Sequence, residues 1–165
     1  MEPMNTSILL VREHEPALLA ALSRLAEEAF PGQPFSMAEE VARPWTRLWV
    51  ASIGPSPAAF LVGWHVADEL HILNVATSPG LRRRGIGDAI LVEALAYAKT
   101  QRIRIVLLEV RRSNDPAIGL YRKHGFSVFG VRKKYYADND EDAIEMALSL
   151  DPETGAIQPR PDEPH

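Results

Sequence analysis

Residues 81–90, Leu-Arg-Arg-Arg-Gly-Ile-Gly-Asp-Ala-Ile, place three adjacent arginines directly before two glycines, after which the chain turns apolar at helical spacing. Two glycines two positions apart are poor helix formers, so their use is a bare backbone that something can approach closely. At a strand-to-helix turn they expose several N–H groups at a helix N-terminus, and those donors with the helix dipole make an anion site suited to phosphate. Arg82, Arg83 and Arg84 add positive charge. A tight turn with solvated arginines explains the spacing equally well. Of the phosphate chemistries, a P-loop needs a Gly-Lys pair, and none occurs in the chain. A Rossmann fingerprint needs a third glycine three residues after Gly87, where Ile90 stands. A coenzyme A pyrophosphate is the third alternative.

Two further residues have the chemistry of proton transfer. Glu109 follows the apolar run Ile105-Val106-Leu107-Leu108. A carboxylate at the end of a buried strand is partly desolvated, which raises its affinity for a proton. Pairing with Arg111 or Arg112 is the simpler reading from spacing alone. Tyr121 lies inside a helical stretch beside Leu120 and reads either as a buried aromatic or as an acid. Other candidates fall away. The histidines, at 14, 65, 71, 124 and 165, have no metal-ligand spacing. Ser56 sits in Gly54-Pro55-Ser56-Pro57, a turn and not a nucleophile elbow. Trp45, Trp49 and Trp64 read as core or cleft-wall residues.

Composition bounds what these residues serve. The 165 residues suffice for one domain with a sizeable core, at 46% apolar and 24% charged. A formal charge of −4, from 18 basic against 22 acidic residues, argues against a general nucleic-acid binder. With no cysteine, disulfides, zinc thiolates and cysteine nucleophiles are excluded. The start, Met1-Glu2-Pro3-Met4-Asn5, does not read as a signal peptide. The apolar runs are shorter than the ~20 residues of a membrane span, so a cytoplasmic protein without a membrane partner is expected.

The elements that must position the site follow from periodicity. Residues 7–11 read as a strand, and 15–30 as an amphipathic helix with Leu18, Leu22, Leu25 and Ala29 on one face. A short helix fits 36–41, and strands at 47–53, 58–66 and 69–76 read as an antiparallel meander. A helix over 86–99 carries Ile86, Ile90, Ala94 and Tyr97 on one side. Residues 103–110 form a strand whose run 105–108 suggests burial on both faces. Asp115-Pro116 starts another helix, with aspartate as cap, and Gly125 ends it. Strands at 127–136 and 143–150 close the domain. The domain is expected over 1–150, with a disordered proline-rich tail over 151–165. The fold class is α/β (α+β), in the order β-α-α-β-β-β-α-β-α-β-β.

Arg82-Arg83-Arg84-Gly85-Ile86-Gly87 resembles the [Q/R]-x-x-G-x-[G/A] signature of the GNAT superfamily of N-acetyltransferases, and residues 74–87 resemble its central strand and phosphate loop. Residues 107–126 ("LLEVRRSNDPAIGLYRKHGF") and 132–146 resemble the RimI-type ribosomal-protein-alanine N-acetyltransferases. The strong resemblance covers roughly residues 70–148, and the first 65 residues carry little specific signature. It implies a mixed, mostly antiparallel sheet with splayed fourth and fifth strands, flanked by helices.

The resemblance also implies roles. Val75, Ala76 and Thr77 would offer backbone groups to the acetyl and pantetheine parts of acetyl-CoA. Arg83, Arg84, Gly85, Ile86, Gly87 and Asp88 would cradle its pyrophosphate, and Asn114 would reach the pantetheine arm. Asp88 departs from a pattern in which a basic residue is common, so its backbone is the expected contact. Glu109 would be the base that deprotonates the attacking amine, and Tyr121 the acid for the departing thiolate. Tyr135 and Tyr136 would lie by the substrate N-terminus. No metal is implied. The acidic hairpin Asp138, Asp140, Glu141, Asp142 reads as solvated or as an attraction for a basic peptide.

The implied activity is transfer of an acetyl group to a protein N-terminus, perhaps that of a ribosomal small-subunit protein, by a monomer or weak homodimer. An α-amine titrates about 2.5 units below lysine, a difference worth ~3.4 kcal/mol of deprotonation, which favours an N-terminal acceptor for a single carboxylate. A lysine or small-molecule acetyltransferase and a non-catalytic coenzyme A sensor are the alternatives.

Overall fold

The computed structural model describes residues 6–33 and 35–163. The described residues form two compact units, one of residues 6–33, 35–65 and 73–96 and the other of 66–72 and 97–163.

The first unit is built on the strands β1 (Thr6–Leu10), β2 (Thr46–Ile53), β3 (Ser56–Val66) and the later part of β4 (Glu69–Thr77), hydrogen-bonded in that order. β1–β2 and β2–β3 are antiparallel, with a bulge between Ala51 and Ser52. Helix α1 (Pro16–Ala29) buries Leu22, Leu25 and Ala26, the i, i+3, i+4 stripe of an amphipathic helix. Helix α2 (Met37–Val41) is capped by Ser36, whose hydroxyl accepts from the Glu39 N–H at 3.3 Å. Met37 joins Leu22, Leu25, Leu48, Val50, Phe60, Val62 and Ala76 in one apolar core. That core fixes the end of β4, because Ala76 is buried in it and the Ser78 N–H donates to the Ala58 carbonyl at 2.8 Å. A 3-10 turn at Pro79–Leu81 then leads into helix α3 (Ile86–Thr100).

The second unit centres on β5 (Ile105–Arg111). β5 pairs in parallel with the start of β4, from Glu69–Ile105 to Ile72–Leu108, and no register pair follows although both strands continue. On its other side it runs antiparallel to β7 (Glu141–Leu150) along its whole length. β7 in turn pairs with β6 (Ser127–Tyr136). β1–β2, β2–β3, β5–β7, β6–β7 and the pairing of β7 with residues 157–158 are antiparallel, so the mixed, mostly antiparallel α/β fold is as expected.

Three expectations differ. On β5 only Val106, Leu108 and Val110 are buried, while Ile105, Leu107 and Glu109 are half-covered: the strand is central, but one face stays accessible. Helix α4 (Asp115–Lys123) is capped by Asn114 and not by Asp115, since Asn114 Oδ1 accepts from the Ala117 N–H at 3.3 Å. The tail, expected to be disordered, is ordered through residue 163. Asp151 folds it back, its carboxylate accepting from the N–H groups of Glu153 (2.9 Å) and Thr154 (3.2 Å). Strand β8 (Ile157–Gln158) then pairs with β7, and Asp162 accepts from the Val128 N–H at 2.9 Å and from Arg122 at 2.7 Å. These anchors are mostly polar and backbone, so the scarcity of apolar residues did not disclose them.

Candidate active site

In the first unit the chain turns from β4 to α3 through Arg82, Arg83, Arg84 and Gly85, all exposed. Arg83 (φ +64°) and Gly85 (φ +77°) both adopt left-handed backbone. A Cβ on Gly85 would meet nothing within 4 Å, so glycine is used there for its conformation and for an open approach, not for internal packing. Ala89 is the first residue of α3 to close a helical bond, donating to the Gly85 carbonyl at 3.0 Å. The N–H groups of Ile86 and Gly87 precede it and point out of the helix end. Asp88 also lies in that first turn, where a carboxylate suits the helix dipole. Val75 and Thr77 are half-covered, with Ala76 buried between them. The open glycine, the helix-end donors and the three arginines fit a pyrophosphate, and the ordered end of β4 offers backbone groups beside them.

The second unit gathers the groups of acid–base type. Glu109 lies on the accessible face of β5, its side chain 28% exposed. Its partner is neither Arg111 nor Arg112, as spacing suggested, but Arg132, whose Nε lies 3.1 Å from Glu109 Oε1. Tyr135 lies close to Glu109, and the nearby carboxylate, then burial, raise its phenol above the ordinary value, against the opposing charge of Arg132. Tyr136 packs edge-on against Tyr135 with ring centroids 5.1 Å apart. Arg111 lies 3.9 Å over the Tyr136 ring, and its guanidinium is fixed by both oxygens of Asp138 at 3.1 Å. Tyr121 projects from α4 and is buried against Phe126, at 5.5 Å between centroids. Burial, and secondarily Tyr136, push its phenol up to about 12. Glu109, Tyr121, Tyr135 and Tyr136 are therefore linked through contacts and fields inside one unit. Asn114 caps α4 with its oxygen, which leaves its amide to donate elsewhere.

The acidic hairpin is largely spent on internal partners. Besides Asp138, Glu141 accepts from the Ser113 N–H at 2.7 Å; the Ser113 hydroxyl, and then that N–H, hold its carboxyl below the usual range. Asp142 accepts from the Lys134 N–H at 3.0 Å and pairs with Arg112 and Lys133, both at 3.3 Å. Lys134 sits at φ +52° in the β6 irregularity between Arg132 and Tyr136, so Asp142 ties down the segment that presents Tyr135. Sequence reasoning missed Arg132 and Glu145. The signals were there: a glutamate between buried Ile144 and Met146, and Gly130 inside a strand, which marks a close approach.

The acetyltransferase (GNAT) family model matches residues 16–126, and the chain belongs to that family. It is 30% identical over 157 residues to the Mycobacterium tuberculosis N-alpha-acetyltransferase RimI, covering 83% of this chain and 95% of that one. It is 40% identical over 95 residues to the Salmonella typhimurium [ribosomal protein bS18]-alanine N-acetyltransferase, 56% of this chain. The crystal structure of the Escherichia coli ribosomal-protein-S18-alanine N-acetyltransferase superposes with a TM-score of 0.78 at 30% identity, over 87% of this chain and 93% of that one. The chain spans less than two thirds of the first curated relatives it matches, 58% and 64%. Among the described residues no helix is long and apolar enough to cross a membrane.

Proposed function

We propose that this protein is an N-α-acetyltransferase that moves the acetyl group of acetyl-CoA to the N-terminal amine of a protein, a ribosomal small-subunit protein being the acceptor suggested by its relatives. Residues 1–150 are read as the catalytic domain, working in the cytoplasm as a monomer or weak dimer. The observation that carries the reading is the presence in one unit of a proton acceptor and a hydrogen-bond donor: the accessible carboxylate of Glu109 and the buried, protonated phenol of Tyr121. A coenzyme A sensor has no use for either.

The chemistry follows from these groups. The acceptor arrives as an ammonium, and Glu109 takes its proton, directly or through a water. The freed nitrogen attacks the thioester carbonyl and the N–C bond forms; the nitrogen then sheds its second proton to solvent, the C–S bond breaks and the sulfur leaves with the electron pair. Tyr121 faces that charge as a donor. A thiol titrates near 8.5 and Tyr121 near 12, so outright transfer of its proton is uphill by roughly 3.5 units. Its contribution is therefore a hydrogen bond to the developing thiolate, which solvent protonates after release. Backbone donors of Val75 to Thr77 and of the turn through Arg83, Arg84, Gly85, Ile86, Gly87 and Asp88 hold the coenzyme, with Asn114 donating to its pantetheine arm. Tyr135 and Tyr136 line the approach of the acceptor N-terminus.

The function is tested with labelled acetyl-CoA and peptides that differ only in their first three residues, beside N-terminally blocked copies. Label on the free peptides alone is expected, and preference for a blocked, lysine-bearing peptide would replace the reading with a lysine acetyltransferase. The coenzyme site has its own test. Gly87→Glu places a side chain and a negative charge at the helix end that the pyrophosphate uses. Calorimetry should find acetyl-CoA binding lost, while circular dichroism shows the fold intact. Wild-type affinity in the folded variant would remove the turn from the site.

A further inference from the structure

Glu109 is not alone on its face of the sheet. On the neighbouring strand β7, Glu145 stands directly opposite it in the antiparallel register, so both carboxylates project to the same side. Gly130 of β6 stands opposite Glu145 in turn. A Cβ on Gly130 would lie 2.8 Å from Glu145 Oε1, so the glycine makes the space in which this carboxylate folds toward β6. Arg132, two residues beyond Gly130, reaches back over both acids. Its Nε is 3.1 Å from Glu109 Oε1 and 3.6 Å from Glu145 Oε2. The arginine side chain is 55% exposed and its guanidinium lies over the Tyr135 ring, 5.5 Å from its centre, a cation–π contact that keeps it near both acids without choosing between them.

The arrangement creates a conflict and contains its resolution. An acceptor ammonium must come close to Glu109, yet Arg132 already covers one oxygen of that carboxylate and repels a second cation. If Arg132 left for solvent, the ion pair would be lost without replacement. Glu145 offers a carboxylate of the same charge within reach of the same Nε–H, so the guanidinium changes partner through a small torsional movement while remaining paired.

We propose that Glu145 is a positioning residue, the second seat onto which Arg132 moves to uncover Glu109 for the incoming amine. This rests on Glu109 being the base. The charged and titratable groups that face the pair are Arg132, Tyr135 and Tyr136 from β6, Glu145 from β7, and Arg111 from β5.

Two measurements test it. In the enzyme without substrate, the Arg132 Nε–H resonance should report a population shared between two seats, shifting one way in Glu145→Gln and the opposite way in Glu109→Gln. In kinetics, Glu145→Gln should lower kcat/KM for a free N-terminal peptide about tenfold, the scale of coupling inside one ion-pair network, with acetyl-CoA affinity unchanged. Glu145→Asp, which keeps the charge, should recover part of that loss. In an Arg132→Ala background the same Glu145→Gln change should cost less than about twofold, because no guanidinium remains to be moved. An equal loss in both backgrounds, or no loss in either, overturns the inference, as does an Arg132 resonance that Glu145→Gln leaves in place. The base reading fails by a different sign: Glu109→Gln as active as the wild type.

Discussion

Tyr121→Phe should bind acetyl-CoA as the wild type does and turn over about 100-fold or more slowly, the usual consequence of deleting one donor to a developing negative charge. The substitution removes a single hydroxyl from a ring that is 7% exposed and packed on Phe126, so the helix and its contacts are kept. The loss should fall on kcat, since the hydrogen bond strengthens only as the sulfur becomes a thiolate. The wild-type pH profile carries the same information. The Tyr121 phenol is raised to about 12, so its protonated, donating form persists throughout the ordinary assay range. Its ionisation therefore gives no falling limb below roughly pH 11, where an unperturbed tyrosine near 10 would begin to show one. Single-turnover measurements, in which chemistry and not product release sets the rate, decide the matter. Unchanged turnover in the folded variant takes Tyr121 out of the mechanism.

Glu109→Gln should be the other severe change, lowering kcat/KM at neutral pH by about 100-fold, the lower end for loss of a general base. Glutamine keeps the size and the hydrogen-bonding ability but cannot accept a proton. The deficit should shrink as pH rises. An α-amine titrates near 8, so above that value the acceptor arrives already neutral and the base is less needed. A lysine acceptor, near 10.4, would delay the recovery by about 2.5 units, so the position of the recovery also reports the class of amine. The variant should keep acetyl-CoA affinity, because the role proposed for Glu109 is toward the acceptor amine and not toward the coenzyme. A Glu109→Gln enzyme as fast as wild type at neutral pH would move the base elsewhere, for instance to an ordered water chain.

Much of the positioning frame is written locally in the chain. The turn at residues 81–90 is legible because a left-handed φ at Gly85 and a helix start at Ile86 are short-range requirements on residue type. The order of strands and helices is legible because burial on one face imposes a period of two or 3.6. The Asn114 cap was misplaced by one residue, since asparagine and aspartate serve equally at that position and only the hydrogen bond to Ala117 separates them.

The sequence by itself therefore determined the family, the glycine-arginine turn, and the presence of an acid and a phenol about one helix apart. Tertiary structure decided what surrounds them. Glu109 meets Arg132 and Glu145, not its neighbours in sequence, because the register of three strands carries those side chains to one face. A slip of one residue would turn each of them to the opposite face. The irregularity between Arg132 and Tyr136 further sets which aromatic rings share that face. The hairpin acids look solvated in sequence, yet Arg111, Ser113 and the Lys134 backbone engage them once the strands align. Spacing along the chain governs the backbone within a few residues, whereas a charged side chain takes whichever opposite charge the folded sheet brings within 3 to 4 Å, however distant that residue is in sequence.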